Sequence, residues 1–227
     1  MATTIRNSGS GPGPRTLDGC SVEFWKQLPP GTEPAIIASA VPSGGSILEL
    51  GAGVGRITHP LLALGYKVTA CDNSPDMLAE IRGAETILSD IEDLALDRRF
   101  DAVLLCSCLI HAPGFDTRRA LLATCRRHLN PGGVALIQRY RQGWPGNVRP
   151  GHVHEADGVR HHIEAVRREG SRVQMNLRYE TATGIWTHSF TFEPLEREAI
   201  DTALASADLR RDRFLDPDET WIAAVAR

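Results

Sequence analysis

The sequence predicts an α/β protein: a doubly wound, mostly parallel sheet of seven strands that carries an antiparallel β lid insertion at about 145–192. Three observations predict it. Between residues 46 and 140, short apolar runs alternate with segments of helical period, the rhythm of strands joined by right-handed helical crossovers. Three glycines, Gly51, Gly53 and Gly55, stand directly behind the first of those runs. After Tyr140 the pattern turns to period-2 alternation broken by Gly-Ser and Thr-Gly, which signals antiparallel hairpins.

The opening stretch, MATTIRNSGSGPGPR, has the composition of a flexible tail, so residues 1–17 are expected to be disordered and 18–227 to form the folded domain. Residues 18–40 read as largely helical, broken at the Pro29-Pro30 pair. SILEL has the length and continuous apolarity of a buried parallel strand. A helix is expected from Gly55 to about Leu64, ended by Gly65. YKVTAC is the second strand. SPDMLAEIR is the next helix, with Ser74 as its cap and Pro75 at the first helical position. AETILSD is the third strand and FDAVLLCSCLI the fourth, on which Cys106 and Cys108 alternate with Ser107. DTRRALLATCRRHLN is an amphipathic helix closed by Asn130, and GGVALIQRY is the fifth strand. The segments GVRHHIEAVRRE, SRVQMNLRYETA and GIWTHSFTFEP are the insertion's strands. LEREAIDTALASA returns to helix, and RDRFLD with TWIAAVAR closes the sheet as an antiparallel pair.

Composition bounds the function. The 227 residues are 42% hydrophobic and 23% charged with a net charge of −3, so no general attraction draws the chain to nucleic acid. No apolar run approaches the roughly 20 residues needed to span a bilayer. Five scattered cysteines, Cys20, Cys71, Cys106, Cys108 and Cys125, are expected as reduced thiols in a cytoplasmic protein.

A loop that leaves a strand and opens a helix lies at the carboxyl edge of a parallel sheet, where such folds bind ligands. The glycines there permit a sharp turn and a close approach. A phosphate-cradling loop would need Gly-Lys-Ser/Thr, and Gly-Arg-Ile follows instead. The dinucleotide fingerprint would need a third glycine at position 56, where Arg56 stands.

ELGAGVG instead has the form E-x-G-x-G-x-G and resembles motif I of the class I S-adenosylmethionine (SAM)-dependent methyltransferases. Asp72 follows Gly51 by 21 residues, the place of a ribose-binding carboxylate, and SDIEDL resembles the family's next motif. FDAVLLCSCLIH and LNPGG match its fourth strand and the turn before the fifth. The resemblance spans about 45–140 and implies a Rossmann-like methyltransferase fold with SAM as cofactor and S-adenosylhomocysteine as product. It implies a cofactor site of Glu49, Gly51, Ala52, Gly53, Gly55, Arg56, Asp72, Asn73, Met77, Asp90, Ile91 and Cys106. In it Glu49 lies near the methionine end, Asp72 on the ribose, and Asp90 with the Ile91 backbone on adenine. Arg56 is either a partner of the methionine carboxylate or a solvated charge.

The expected activity is methyl transfer to an oxygen or nitrogen of a small metabolite, anionic or aromatic, in secondary metabolism. An NAD(P)-dependent oxidoreductase, a SAM-using cyclase and a non-catalytic SAM-binding module are the alternatives. His111 is the candidate catalytic base, since an imidazole titrates near neutral pH. Arg139 and Arg141 are expected on one side of the fifth strand, with Tyr140 on the other, and two guanidiniums would suit an anionic acceptor. Trp25, Tyr179 and Trp186 complete the expected acceptor contacts. His152, His154, His161 and His162 invite a metal reading, but His161 and His162 point to opposite faces of a strand and no cysteine lies nearby, so no metal is expected. The expected partner is a small-molecule acceptor, with neither nucleic acid nor membrane, and homodimerisation stays open.

Overall fold

The computed structural model describes residues 7–146 and 148–227. In chain order the elements are β1 (Ser8–Ser10), α1 (Val22–Trp25), α2 (Glu33–Ala40), β2 (Ser46–Leu50), α3 (Thr58–Ala63), β3 (Lys67–Asp72), α4 (Pro75–Leu78), β4 (Glu85–Leu88) and β5 (Phe100–Leu105). A 3₁₀ turn at Leu109–His111 leads to α5 (Phe115–Arg127) and β6 (Leu129–Gln138). Then come β7 (Val153–Ala156), β8 (Val159–Glu169), β9 (Arg172–Thr181), β10 (Gly184–Phe192), α6 (Arg197–Ala205), β11 (Leu209–Phe214) and β12 (Trp221–Ala226). The described chain falls into two compact units, one of residues up to Pro29 with Trp144–Pro194, the other of Pro30–Gly143 with Leu195–Arg227.

The larger unit holds a seven-stranded sheet ordered β11-β12-β6-β5-β2-β3-β4. The pairs from β6 to β4 are parallel, and β12 joins β6 antiparallel. Both faces are covered. Leu48, Leu50, Val103 and Leu105 belong to one fully buried cluster, and Ile47, Ala102, Leu104 and Leu136 belong to another. Strands buried on both faces read as near-continuous apolar runs, so SILEL shows no alternation and Glu49 is the one charged residue in it. From β2 the chain works outward through β3 and β4, then returns to β5 on the other side of β2. The crevice for a ligand in such a sheet opens at that reversal, outside the carboxyl ends of β2 and β5.

At the opposite edge one carboxylate ties three strand starts together. Asp101 Oδ2 accepts from the Ser46 backbone N–H and from Ser46 Oγ, each at 2.8 Å, and its Oδ1 accepts from Asn130 Nδ2 at 2.9 Å. These bonds hold the carboxyl below its ordinary range, the Ser46 N–H contributing most.

The smaller unit is an antiparallel sheet ordered β1-β10-β9-β8-β7. Phe24 of α1 stacks on Tyr179 at 4.3 Å, and Trp186, 3% exposed, packs with them and Val159. Ser21 caps α1 by accepting from the Phe24 N–H.

Several expectations need correction. The tail expected over 1–17 contains β1, which pairs with β10; Gly9 and Gly11 are there because a side-chain carbon at either would collide with the Gly19 carbonyl or the Trp186 ring. Residues 1–6 lie outside those described. The helix expected from Gly55 starts only at Thr58, because Gly55 is left-handed with φ +82°. The helix after Ser74 stops at Leu78, where the Arg82 N–H goes to His59 Nε2 instead of continuing it. The fourth strand ends at Leu105, so Cys106 and Cys108 do not alternate on it. Asn130 does not close α5: His128 is its C-terminal cap, and Asn130 already lies in β6.

Replacing Asp101 with alanine is expected to cost about 2 kcal/mol in urea unfolding at pH 7, the scale of hydrogen bonds to a charged group. Because its folded-state pKa is depressed, its contribution is complete above the ordinary carboxylate range and is lost as pH falls through the folded value. The wild-type and variant stability curves should therefore converge at acid pH.

Candidate active site

The loop after β2 places all three glycines in the left-handed region, Gly51 at φ +72°, Gly53 at +56° and Gly55 at +82°. Each has a different reason to lack a side chain. A carbon at Gly51 would press on Leu109 Cδ1 at 3.1 Å, and one at Gly55 would press on His59 and Ile81. At Gly53 the protein leaves room, with only Met77 Sδ, at 4.0 Å, near the place a Cβ would take. The Gly51 and Ala52 N–H groups both bond the Cys71 carbonyl at 2.9 Å, which anchors the turn to β3.

Glu49, 2% exposed, lies just before the turn. Its Oε2 accepts from Thr58 Oγ1 at 2.5 Å. Burial raises its pKa from 4.5 to about 7, against the opposing effects of the Thr58 bond and the Arg56 charge. Arg56 is tied to Glu33 of α2 at 2.7 Å, with both side chains mostly buried, so it is not a solvated charge.

Asp72 closes β3 with both oxygens on backbone: Oδ2 accepts from Gly53 N–H at 2.8 Å and Oδ1 from Ser74 N–H at 2.9 Å. A carboxylate has about four lone-pair sites, so these bonds orient it without exhausting it. Asn73 donates to Asp90 at 2.7 Å, joining the ends of β3 and β4, while the Ile91 carbonyl accepts from Thr124 Oγ1. Ala52 and Met77 are buried beside the turn. The glycine turn, Glu49, Asp72, Asp90 and Ile91 thus occupy the ends of three consecutive strands of one unit.

Residues 47–133 match the family model described as a methyltransferase domain. The chain is 33% identical over 105 residues to the ubiquinone biosynthesis O-methyltransferase of Xanthomonas oryzae pv. oryzae, a match covering 42% of this chain and 43% of that protein. It therefore spans less than half the length of that curated relative. It is 28% identical over 193 residues to the dTDP-4-amino-2,3,4,6-tetradeoxy-D-glucose N,N-dimethyltransferase of Saccharopolyspora spinosa, covering 78% of this chain and 76% of that one. Among solved structures, the sugar N-methyltransferase KedS8 of a Streptoalloteichus species superposes with a TM-score of 0.71 at 22% identity, covering 95% of this chain and 98% of its own. The fold is the Rossmann-like one of the methyltransferases.

Beyond β5 of the parallel sheet, Ser107 and Cys108 form a left-handed turn. Burial pushes the Cys108 thiol up to about 12 and holds that of Cys106, which Glu49 and Glu33 also oppose ionising, well above its ordinary value. Both cysteines are therefore protonated packing groups and not thiolate nucleophiles.

His111, 1% exposed, stacks on Tyr140 at 4.7 Å. Backbone N–H groups face both of its ring nitrogens, Tyr140 N at 3.1 Å from Nε2 and Leu195 N at 3.2 Å from Nδ1. A neutral imidazole has one acceptor nitrogen, and the backbone claims it in either tautomer.

β6 ends at Gln138, so the expected alternation of Arg139, Tyr140 and Arg141 does not hold. Arg139 turns inward, 2% exposed, donating to the Leu195 carbonyl and lying 4.0 Å from Glu219, while Arg141 is exposed and pairs with Asp218 at 3.1 Å. Trp25, Tyr179 and Trp186 belong to the aromatic cluster of the antiparallel unit, with Trp186 Nε1 donating to the Pro12 carbonyl. Among the described residues, no group of three or more His, Cys, Asp or Glu side chains is arranged to hold a metal ion. No described helix is long and apolar enough to cross a membrane.

The partners Thr58 and Glu33 escape sequence reasoning, because a hydroxyl nine residues from Glu49 and a carboxylate 23 residues from Arg56 belong to no motif. Glu49→Gln should stabilise the ligand-free protein at pH 8 by up to about 3 kcal/mol, the scale of a pKa moved from 4.5 to about 7. The raised folded pKa makes the buried charge a cost that grows as pH rises from 4.5 through 7. At pH 4, where Glu49 is protonated in both states, the stabilisation should vanish, as thermal melts across pH would report.

Proposed function

We propose that this chain transfers a methyl group from SAM to the amine nitrogen of a small molecule. The observation that carries the cofactor assignment is the buried carboxylate of Glu49 at the root of a glycine turn with open space over Gly53. A negative group in that place favours a ligand bearing an ammonium and a sulfonium and repels a diphosphate. The turn also lacks the helix N-terminus on which a dinucleotide's pyrophosphate rests: α3 begins three residues beyond Gly55, runs six residues, and has a proline in its first turn. Asp72 would take the ribose hydroxyls, Asp90 and Ile91 the adenine edge, and Arg56 the side of Glu49.

The acceptor assignment rests on His111. A hydroxyl needs a base to remove its proton, whereas an amine needs only to be neutral, and the lone pair that a base would use is claimed by backbone. The names of the Saccharopolyspora and Streptoalloteichus proteins, both N-methyltransferases, agree with a nitrogen acceptor. SAM, when bound, would supply a sulfonium methyl to an uncharged amine, the C–N bond forming as the S–C bond breaks, with S-adenosylhomocysteine and an ammonium as products and the ammonium's proton passing to solvent. The protein's part is to hold the partners in line and exclude water.

Calorimetric titration with SAM is the test. Wild type should bind SAM and not NADH, and Asp72→Ala should weaken binding by about 1.5–3 kcal/mol, the worth of a charge-assisted hydrogen bond. Binding of NADH in place of SAM would overturn the assignment. Affinity for SAM should tighten as pH rises from 6 to 8 and lose that dependence in Glu49→Gln. His111→Gln should slow turnover of an amine by less than about tenfold, whereas loss of a general base costs ~10²–10⁴.

A further inference from the structure

Ser107 and Cys108, just past the end of β5, hold φ values of 53° and 57°. Residues with side chains seldom adopt this conformation, and such outliers persist where surrounding structure enforces them, commonly at functional sites. Here the effect of the turn is specific. It directs the Ser107 backbone N–H to Gln138 Oε1, at 2.7 Å, on the end of the neighbouring strand β6. Because that amide oxygen is engaged by a donor, the Gln138 NH₂ must face the other way. Ser107 is exposed and Gln138 partly so, and neither the hydroxyl nor the amide nitrogen bonds another described residue. A hydroxyl residue and an amide residue, both neutral, are thus tied to each other at the carboxyl ends of the neighbouring strands β5 and β6, beside the reversal where such a sheet binds a ligand. Of the two guanidiniums that follow Gln138 in sequence, Arg139 is turned into the interior on the Leu195 carbonyl and Arg141 is paired with Asp218 at 3.1 Å. The edge thus offers neutral donors, which suit an uncharged oxygen better than a carboxylate or phosphate.

We infer that Ser107 and Gln138 are the specificity-determining pair of the site, hydrogen-bonding a hydroxyl next to the amine that is methylated. The inference rests on the methyl-transfer reading and narrows its acceptor to amino alcohols of the sugar type. Once the acceptor covers these polar groups, an analogue lacking the hydroxyl leaves them buried and unpaired, and that discriminates against it.

The test uses the full chain with SAM and two matched probes, dTDP-4-amino-2,3,4,6-tetradeoxy-D-glucose and dTDP-4-amino-2,4,6-trideoxy-D-glucose, which adds a hydroxyl beside the amine. Wild type should favour the hydroxylated sugar by about tenfold or more in kcat/KM, mainly through KM. The double variant Ser107→Ala/Gln138→Leu should lose that preference while SAM affinity by calorimetry stays unchanged. Ser107→Gly, which suits the left-handed backbone, should also lose preference yet raise the melting temperature, a combination that a purely structural role would not produce. Equal use of the two sugars by wild type, a preference that survives the double substitution, or SAM binding with neither sugar methylated would overturn the inference. Failure of the wild type to bind SAM, seen before any acceptor is added, would instead overturn the methyl-transfer reading itself.

Discussion

A carboxylate sealed from water at the end of β2 is the constraint to which the rest of the site answers. Glu49 has one hydroxyl donor, Thr58, and its nearest cation, Arg56, is already committed to Glu33. Asp72 adds a like charge. An isolated protein would be more stable with a neutral group there, so the arrangement makes physical sense as a seat for a cation. Perturbed ionisable groups in clefts mark functional sites for this reason. The glycine turn then becomes intelligible: a cationic nucleoside must approach the backbone closely, and Gly53 leaves the room that a Cβ would fill.

The sheet supplies this seat by topology. Parallel strands buried on both faces form a rigid floor, and the order β5-β2-β3-β4 lines up the ends that carry the turn, Asp72, Asp90 and the left-handed Ser107–Cys108 bend. His111 works differently from the role its chemistry suggests. Backbone N–H groups face both ring nitrogens, and whichever nitrogen is unprotonated accepts from the peptide group at Tyr140 or at Leu195, which leaves no lone pair for an acceptor proton. Methyl transfer that relies on alignment alone fits such a site.

Much of the sheet was legible in the sequence because burial on both faces writes itself as unbroken apolar runs, and the Ser74 cap because Ser-Pro-Asp has one common structural use. That Glu49, the glycines and Asp72 meet at one edge of the sheet was legible through their spacing. What stayed hidden has physical reasons. Ser-Gly-Ser-Gly-Pro-Gly has a linker's composition, yet Gly9 and Gly11 are small because Gly19 and Trp186 crowd them. Cys-Ser-Cys continues an apolar strand to the eye, and its left-handed turn is made without glycine or asparagine. The inward turn of Arg139 depends on Leu195 and Glu219, more than fifty residues away, and no local pattern records that.

The central claim is that a buried, largely protonated carboxyl becomes the counter-ion of a cationic cofactor, and proton release on binding tests it most directly. Titrating SAM into the protein at pH 6.5, in buffers of different ionisation enthalpy, should show a large fraction of one proton leaving per site, and none leaving Glu49→Gln. Binding of SAM to wild type with no proton released, or with equal release from the variant, would contradict the account.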